Sequence, residues 1–282
     1  MPKLISEITV AYWSTKGLGA PLRQMVLYAG IPLKCIFYKT TAVQTHKGLS
    51  VSGSNWTDAK PALQKLNPLI NLPYIELDEE DHRAVFTQSI ACMTFIGRKL
   101  GMLGSNELEC GQCEQLLCEI MDVRNKMVEF AYAHHENQQQ AAAELFDATL
   151  IADRGSFKKI ESWLAAKKTS STNCYLVGSQ ASAADFALFE MLHQYAELIQ
   201  FFELVSCQNK KPEEILKACD KNNLANLYGN FRYSPKMEKY FQSLLNELPF
   251  NNKSASFGSA KGGGQWNPEF DVDSTPEFIQ LD

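Results

Sequence analysis

A chain of 282 residues with 45% hydrophobic and 21% charged residues has globular proportions and can fill one large core or two modest ones. A net charge of −5 and a pI near 5.6, with no Lys/Arg cluster, exclude a basic nucleic-acid surface. No apolar run approaches about 18 residues and no basic segment precedes a long apolar one, so neither a membrane span nor a secretory leader is expected. Eight cysteines in such a chain read as reduced cytoplasmic thiols rather than a disulfide frame.

In chain order, Ile8–Tyr12 is a short apolar strand. Gly17–Ala29 follows as a helix opened by glycines and Pro21. Leu33–Tyr38 is a second strand, and residues 40–55, rich in Thr, Ser, Gly and Gln, read as a loop. Asp58–Leu66 is a short helix closed by Asn67-Pro68. Tyr74–Leu77 and Arg83–Phe86 flank Asp78–His82 in a hairpin, and Gln88–Leu100 is a helix stopped by Gly101. This order predicts an α+β chain that opens with a thioredoxin-like domain over residues 1–104. Its mixed four-stranded sheet would carry helices on both faces.

From Glu107 the pattern changes. Leu108–His134, Gln138–Lys167, Ala184–Phe202 and Lys236–Leu248 carry helical apolar spacing and predict an all-helical bundle over residues 105–253. Ser182 and Asp185 form a capping box whose work is to fold that bundle. Cys110-x-x-Cys113 lacks a second Cys/His pair at zinc spacing, so no metal is expected. His134-His135 reads as a solvated helix end. Residues 203–223 form an insertion with one short helix, Pro212–Cys219. Residues 254–282 form a tail with a glycine joint at Gly262–Gly264 and the composition of a disordered segment. Trp266, Phe270, Phe278 and Leu281 are poor choices for a free tail. It is therefore expected to dock, either across its own helical domain or onto a protein partner.

Three features along the first part belong together. Pro73, in Asn71-Leu72-Pro73-Tyr74, cannot donate to a sheet ladder and fits a cis turn that presents the Leu72 backbone. Thr87-Gln88-Ser89 opens a helix whose free N–H groups suit a carboxylate. Tyr12, on the first strand, has a phenol that suits a sulfur anion. Each also has a plain structural reading, as core aromatic, loop proline and N-cap. Their order and spacing describe a pocket for a small thiol peptide.

The run Ile8–Trp13, then Lys16-Gly17-Leu18, resembles the start of a tyrosine-dependent cytosolic glutathione S-transferase. Trp56, Lys60, Asn71–Tyr74 and Thr87–Ser89 resemble the mu class most, while Ala20–Arg23 and Leu27–Gly30 lean toward sigma or alpha relatives. The resemblance covers residues 4–200 and resumes over 224–250. It implies a dimeric enzyme that joins the thiolate of glutathione, its co-substrate, to small hydrophobic electrophiles. A free thiol has a pKa of about 8.5, and lowering it by about 2 units takes about 2.7 kcal/mol of preferential thiolate stabilisation.

By the resemblance, Tyr12 supplies that stabilisation. Trp13 and Leu18 line the glutathione site, and the Leu72 backbone beside cis Pro73 pairs with the cysteinyl segment. Gln88 and Ser89 take the γ-glutamyl end, while Trp56, Lys60 and Asn71 take the glycyl end. Asp122 reaches the ligand of a partner subunit, and Leu69 is an apolar key that enters that subunit. The electrophile pocket is expected between Thr15 and Leu18 on one side and Met121, Val128 and Tyr132 on the other. Gly53 stands where the mu class has an arginine, so the glycyl carboxylate would need Lys47 or Lys60. Ser14 and Ile90 also depart from the mu pattern. Two rival readings keep the fold: a non-catalytic assembly subunit, and a sigma-like glutathione-dependent isomerase.

Overall fold

A computed structural model describes residues 5–45, 48–79, 82–167, 175–206, 210–267 and 275–282. The β-branched and aromatic run Ile8–Trp13 forms β1, buried on both faces because it lies inside the sheet. Helix α1 (Gly19–Tyr28) crosses to β2 (Leu33–Tyr38), which pairs parallel to β1. Strand β3 (Thr40–Thr45) and strand β4 (Gly48–Ser54) follow, then α2 (Asn55–Leu63). Strand β5 (Tyr74–Glu79) pairs antiparallel to β1, β6 (His82–Thr87) pairs with β5, and α3 (Ser89–Leu100) closes the domain.

The helical part comprises α4 (Glu107–Tyr132), α5 (Gln138–Phe146), α6 (Ser156–Ala166), α7 (Ala183–Phe201), α8 (Pro212–Ala218), α9 (Asn222–Arg232), α10 (Glu238–Gln242) and α11 (Leu244–Glu247). Helix α7 runs through its centre and is buried on nearly every face. Its capping box is formed as expected: Asp185 accepts from the Ser182 N–H, the Ser182 hydroxyl and the Leu176 N–H at 2.6–2.8 Å. One apolar core joins the helices to the sheet, and Tyr28, Phe186 and Phe231 meet edge-on between α1, α7 and α9.

Several expectations are corrected. Residues 40–55 are not a loop: β3 and β4 form a separate antiparallel hairpin, with a register shift between Thr41 and Ala42. The helix expected over Gln138–Lys167 breaks at a π turn, Asp147–Ile151. There Thr149 turns its hydroxyl back to the Leu145 carbonyl, and a Cβ on Gly155 would lie 2.6 Å from the Thr149 carbonyl oxygen. The helix expected over Lys236–Leu248 is two short pieces divided at Ser243, whose backbone is extended and whose hydroxyl accepts from the Leu245 N–H. Helix α9 had no sequence expectation; Glu161 of α6 caps it by accepting from the Asn223 and Leu224 N–H groups. His135 is not merely solvated, since its ring stacks on Phe130 and its Nε2 lies 2.9 Å from the Phe130 carbonyl.

The tail departs most from expectation. Asn251 is tied to residues 257 and 258, Phe257 is buried among Phe130, Phe201 and Phe202, and Trp266 is buried with its N–H on the Ser259 hydroxyl. Its last residues, Phe278–Leu281, form β7 and pair antiparallel with β2. The sheet is therefore five-stranded, in the order β6-β5-β1-β2-β7, rather than four-stranded. The edge of β2 that would otherwise present unpaired N–H and C=O groups is covered by the chain's own end. The docking expected of the tail is thus met within its own chain, on both domains. Ile279 and Leu281 pack on the core, whereas Phe278 is 61% exposed and does not serve as an anchor. Phe270 lies outside the described residues.

Candidate functional site

Strand β1 carries Tyr12 against the turn that leads into α1. The phenol is 7% exposed, with its ring closed over by the turn into α1. A Cβ on Gly17 would stand 2.7 Å from Tyr12 Cε1 and 3.0 Å from its oxygen, and one on Gly19 would stand 2.9 Å from Tyr12 Cβ. Gly17 also has φ +37°, so only glycine lets the turn lie on the ring without strain. Burial pushes the Tyr12 phenol above its ordinary pKa; the Arg124 guanidinium, the Leu18 N–H and the more distant Arg23 pull it back. At neutral pH Tyr12 is a neutral phenol, because burial outweighs the cation and the backbone N–H that would favour its anion.

Beside it lies the second group. Tyr74 is directly opposite Ala11 in the sheet, so the turn before Tyr74 runs alongside Tyr12. The Leu72–Pro73 bond in that turn is cis, as expected. Thr87 braces the turn: its hydroxyl accepts from the Asn71 N–H at 3.1 Å and lies 2.7 Å from the Asn71 carbonyl and 3.1 Å from that of Pro73. Gln88, at the N-cap of α3, is exposed with φ +71°, and Ser89 is buried at the first turn. Thr87 therefore braces the neighbouring turn instead of capping α3.

The other expected residues divide. Trp56 is buried in a small cluster with Tyr38 and Tyr74, stacked on Tyr74 at 6.2 Å, and Lys60 lies over its ring at 5.9 Å. Asn71 is exposed and Leu72 half-buried at the turn, whereas Trp13 is half-buried against the Trp56 cluster. Asp122 is exposed on α4, and Leu69 is 78% exposed after α2. Gly53 lies in β4 opposite Thr41, and Lys47 lies outside the described residues.

Leu18 and Met121 line one small cavity with Gly17, Arg124 and Glu190. Thr15 is buried and lines a different cavity of about 270 Å³, formed with Ser14, Asn252, Lys261 and Trp266 of the tail. Val128 is half-buried and lines neither cavity. Tyr132 also lines neither, and its hydroxyl accepts from the Asn252 N–H at 2.8 Å. Burial, with the nearby Tyr12, pushes the Tyr132 phenol up to about 12. Just before the tail, the Pro249 and Phe250 carbonyls accept from the Lys16 and Gly17 N–H groups, and within the tail the Ser256 N–H donates to the Ala131 carbonyl.

Two cations that act on Tyr12 escaped the sequence reading. Arg124 lies three residues after Met121 and four before Val128, so the helical stripe already pointed to it. Arg23 is fully buried in α1, an ionic residue inside an apolar run, and donates to the Thr15 carbonyl at 2.9 Å. Among the described residues, no His/Cys/Asp/Glu group is arranged to hold a metal ion, and no helix is long and apolar enough to cross a membrane.

With this geometry in place, comparison with known proteins gives a consistent result. Residues 121–244 match the family model described as glutathione S-transferase, C-terminal domain. The chain is 25% identical over 257 residues to glutathione S-transferase Mu 3 of Macaca fuscata fuscata, covering 90% of this chain and 96% of that one. It is 26% identical over 255 residues to glutathione S-transferase Mu 5 of Mus musculus, covering 90% and 96%. The crystal structure of the glutathione S-transferase Blo t 8 superposes with a TM-score of 0.62 at 19% identity, covering 89% of this chain and 99% of that one, which establishes the fold.

Proposed function

For a chain with the glutathione S-transferase fold and mu-class relatives across nine-tenths of its length, we propose conjugation of glutathione to small electrophiles, with Tyr12 as the thiolate-stabilising residue. One observation carries this reading. A buried, neutral phenol faces a cation and a backbone N–H at the end of β1, beside a cis-proline turn and the N-terminus of α3.

In this mechanism the thiol proton of glutathione leaves to water and the Tyr12 O–H donates to the sulfur anion. The sulfur then attacks the electrophilic carbon and the leaving group departs. Only interactions stronger with the anion than with the thiol accelerate the step, which is what a fixed phenol donor supplies. The Leu72 backbone would hold the cysteinyl segment, and Gln88 and Ser89 the γ-glutamyl carboxylate at the positive end of α3. Lys60 would stand in for the cation missing at Gly53, with Asn71 and Trp56 beside it. Met121, Arg124 and Leu18 would face the electrophile, whereas Thr15, Val128 and Tyr132, expected beside them, do not line the cavity these three share. The exposed Leu69 and Asp122 support a two-fold dimer, in which each would be covered by the second subunit.

The two rival readings gain no support. The tail that an assembly subunit would offer to a partner is engaged on its own β2 strand, and the relatives named above are transferases. Retention on immobilised glutathione followed by turnover of a nitro-activated aryl chloride tests the proposal. Binding with turnover that Tyr12→Phe abolishes supports it. Binding without turnover, across aryl halide, epoxide and enone acceptors, would reject it.

A further inference from the structure

The turn that closes over Tyr12 is held from outside its own domain. Gly17 sets the ring, since a Cβ there would stand 2.7 Å from Tyr12 Cε1, and the Leu18 N–H acts on the phenol oxygen. Helix α1 takes the turn from one end, where the Gly19 and Ala20 N–H groups donate to the Lys16 carbonyl at 2.9 and 2.8 Å. At the other end, the Lys16 and Gly17 N–H groups donate to the Pro249 and Phe250 carbonyls at 2.7 and 3.1 Å. Those two acceptors come after α11, the last α-helix of the chain.

Phe250 reaches the same turn with its side chain. The Lys16 ammonium lies over the Phe250 ring, 4.6 Å from its centre, and the His193 ring of α7 meets that ring edge-on at 5.3 Å. Lys16 and Phe250 are both buried, so the ring face stands where water would surround an exposed ammonium. Burial lowers the Lys16 pKa from its ordinary value, and Glu190, Glu197 and Glu247 oppose that shift. One residue thus grips the turn twice, by its carbonyl and by its ring.

The tail in turn fixes Phe250. The neighbouring Asn251, also buried, donates its N–H to the Gly258 carbonyl at 2.9 Å and its side-chain amide to the Phe257 carbonyl at 3.0 Å. Gly258 has φ +68°, and a Cβ there would stand 3.2 Å from Asn251 Nδ2 and 3.3 Å from Phe250 Cβ. A side chain at that position would strain the backbone and press on both neighbours. Phe257 is sunk among Phe130, Phe201 and Phe202, and Ser256 donates through its N–H and its hydroxyl to the Ala131 carbonyl. The contacts run unbroken from the helical core through Gly258, Asn251 and Phe250 to Gly17 and Tyr12.

We propose that Phe250 is a positioning residue for Tyr12, holding the Lys16–Gly17 turn with its carbonyl and its ring, and that Gly258 of the tail keeps Phe250 in place. The segment after α11 is then part of the scaffold of the site. The catalytic consequence rests on the role given to Tyr12 above; the hold on the turn does not.

Amide exchange, thiolate titration and steady-state kinetics on the full-length protein test this. In the parent, the Lys16 and Gly17 amides should exchange at least about 100-fold more slowly than an unprotected amide; exchange at the unprotected rate would overturn the proposal. Phe250→Leu keeps the carbonyl and an apolar side chain but removes the ring face. It should speed exchange at those two amides about tenfold and lower kcat about tenfold, with the KM for glutathione changed less than about twofold. The thiolate of bound glutathione should titrate about 1 unit higher than in the parent, which a loss of stability alone would not cause in protein that remains folded. Unchanged kcat and titration in folded Phe250→Leu would refute the positioning role. Gly258→Ala touches neither Lys16 nor Gly17, yet it should speed exchange at both about fivefold; unchanged exchange there would refute the part given to the tail. Should Phe250→Leu fail to fold, the parent exchange and Gly258→Ala decide. A parent that never conjugates glutathione removes the mechanism above, and the exchange results alone then decide the hold on the turn.

Discussion

Replacing Gly17 with alanine forces a choice between two parts of the site. The new methyl carbon would lie 2.7 Å from Tyr12 Cε1 and 3.0 Å from the Tyr12 oxygen, with the backbone at φ +37°. A left-handed conformation costs an L-residue about 1–2 kcal/mol. Overpacking a tight site costs about 1–3 kcal/mol more. The total, about 2–5 kcal/mol, appears wholly as lost stability if the ring stays put. The ring has little freedom to retreat, because Gly19 also packs on it so tightly that a Cβ there would lie 2.9 Å from the Tyr12 Cβ. If it does tilt, stability is partly recovered but the phenol leaves its place, and a displacement of about 1 Å costs on the order of 100-fold in turnover. Urea unfolding and steady-state conjugation on the same preparation read both quantities. The variant is expected to lose at least one of them. Parental stability together with parental turnover would show that the turn does not clamp Tyr12, and the reasoning about the site would fail with it.

Asp185→Ala removes the acceptor for two buried backbone N–H groups and the Ser182 hydroxyl. It should lower stability by about 3 kcal/mol, or about 6–10 °C in Tm, by thermal unfolding. Burial pushes the Asp185 carboxyl up to about 6, above its unfolded value, so its contribution is full below about pH 4 and declines as pH rises through about 6. The gap between parent and variant should accordingly narrow from pH 4 to pH 7.5, and a widening gap would contradict the assignment. Truncation before residue 276 removes β7 and the Glu277 carbonyl that accepts from the Phe37 N–H at 2.8 Å. Amide exchange along β2 should rise at least about tenfold while that of β1 stays slow, and equal protection of β2 in both forms would show that β7 does not pair there.

Much of the first domain was legible because its signals are local. The β-branched run Ile8–Val10, Pro73 before an apolar strand, Gly101 after a helix and the Ser182/Asp185 spacing each report a backbone requirement of a few residues. The role expected of Tyr12 came instead from the resemblance carried by Ile8–Trp13 and Lys16–Leu18. The hairpin of β3 and β4 was missed because Thr, Ser and Gly bias the chain toward turns, while only pairing between the strands reveals their order. Strand β7 was missed for a related reason: Phe278–Leu281 gains its form from the free edge of β2, some 240 residues earlier in the chain. The break before α6 depends on Thr149 returning its hydroxyl to the backbone, which apolar spacing does not register. Gln24 and Glu190 stand 166 residues apart, and each alone is an ordinary polar residue on a helix; their hydrogen bond is a property of how α1 and α7 pack.

The most direct test is the ionisation of glutathione bound to the protein, followed by thiolate absorbance across pH in the parent and in Tyr12→Phe. The variant keeps the ring and its packing against Gly17 and Gly19 and loses only the hydroxyl. The parent should titrate about 2 units below the free thiol, near pH 6.5, with the variant returning to about 8.5 and still binding glutathione, a difference of about 2.7 kcal/mol in thiolate stabilisation. Identical titrations in parent and variant would contradict the role of Tyr12 and, with it, the proposed mechanism.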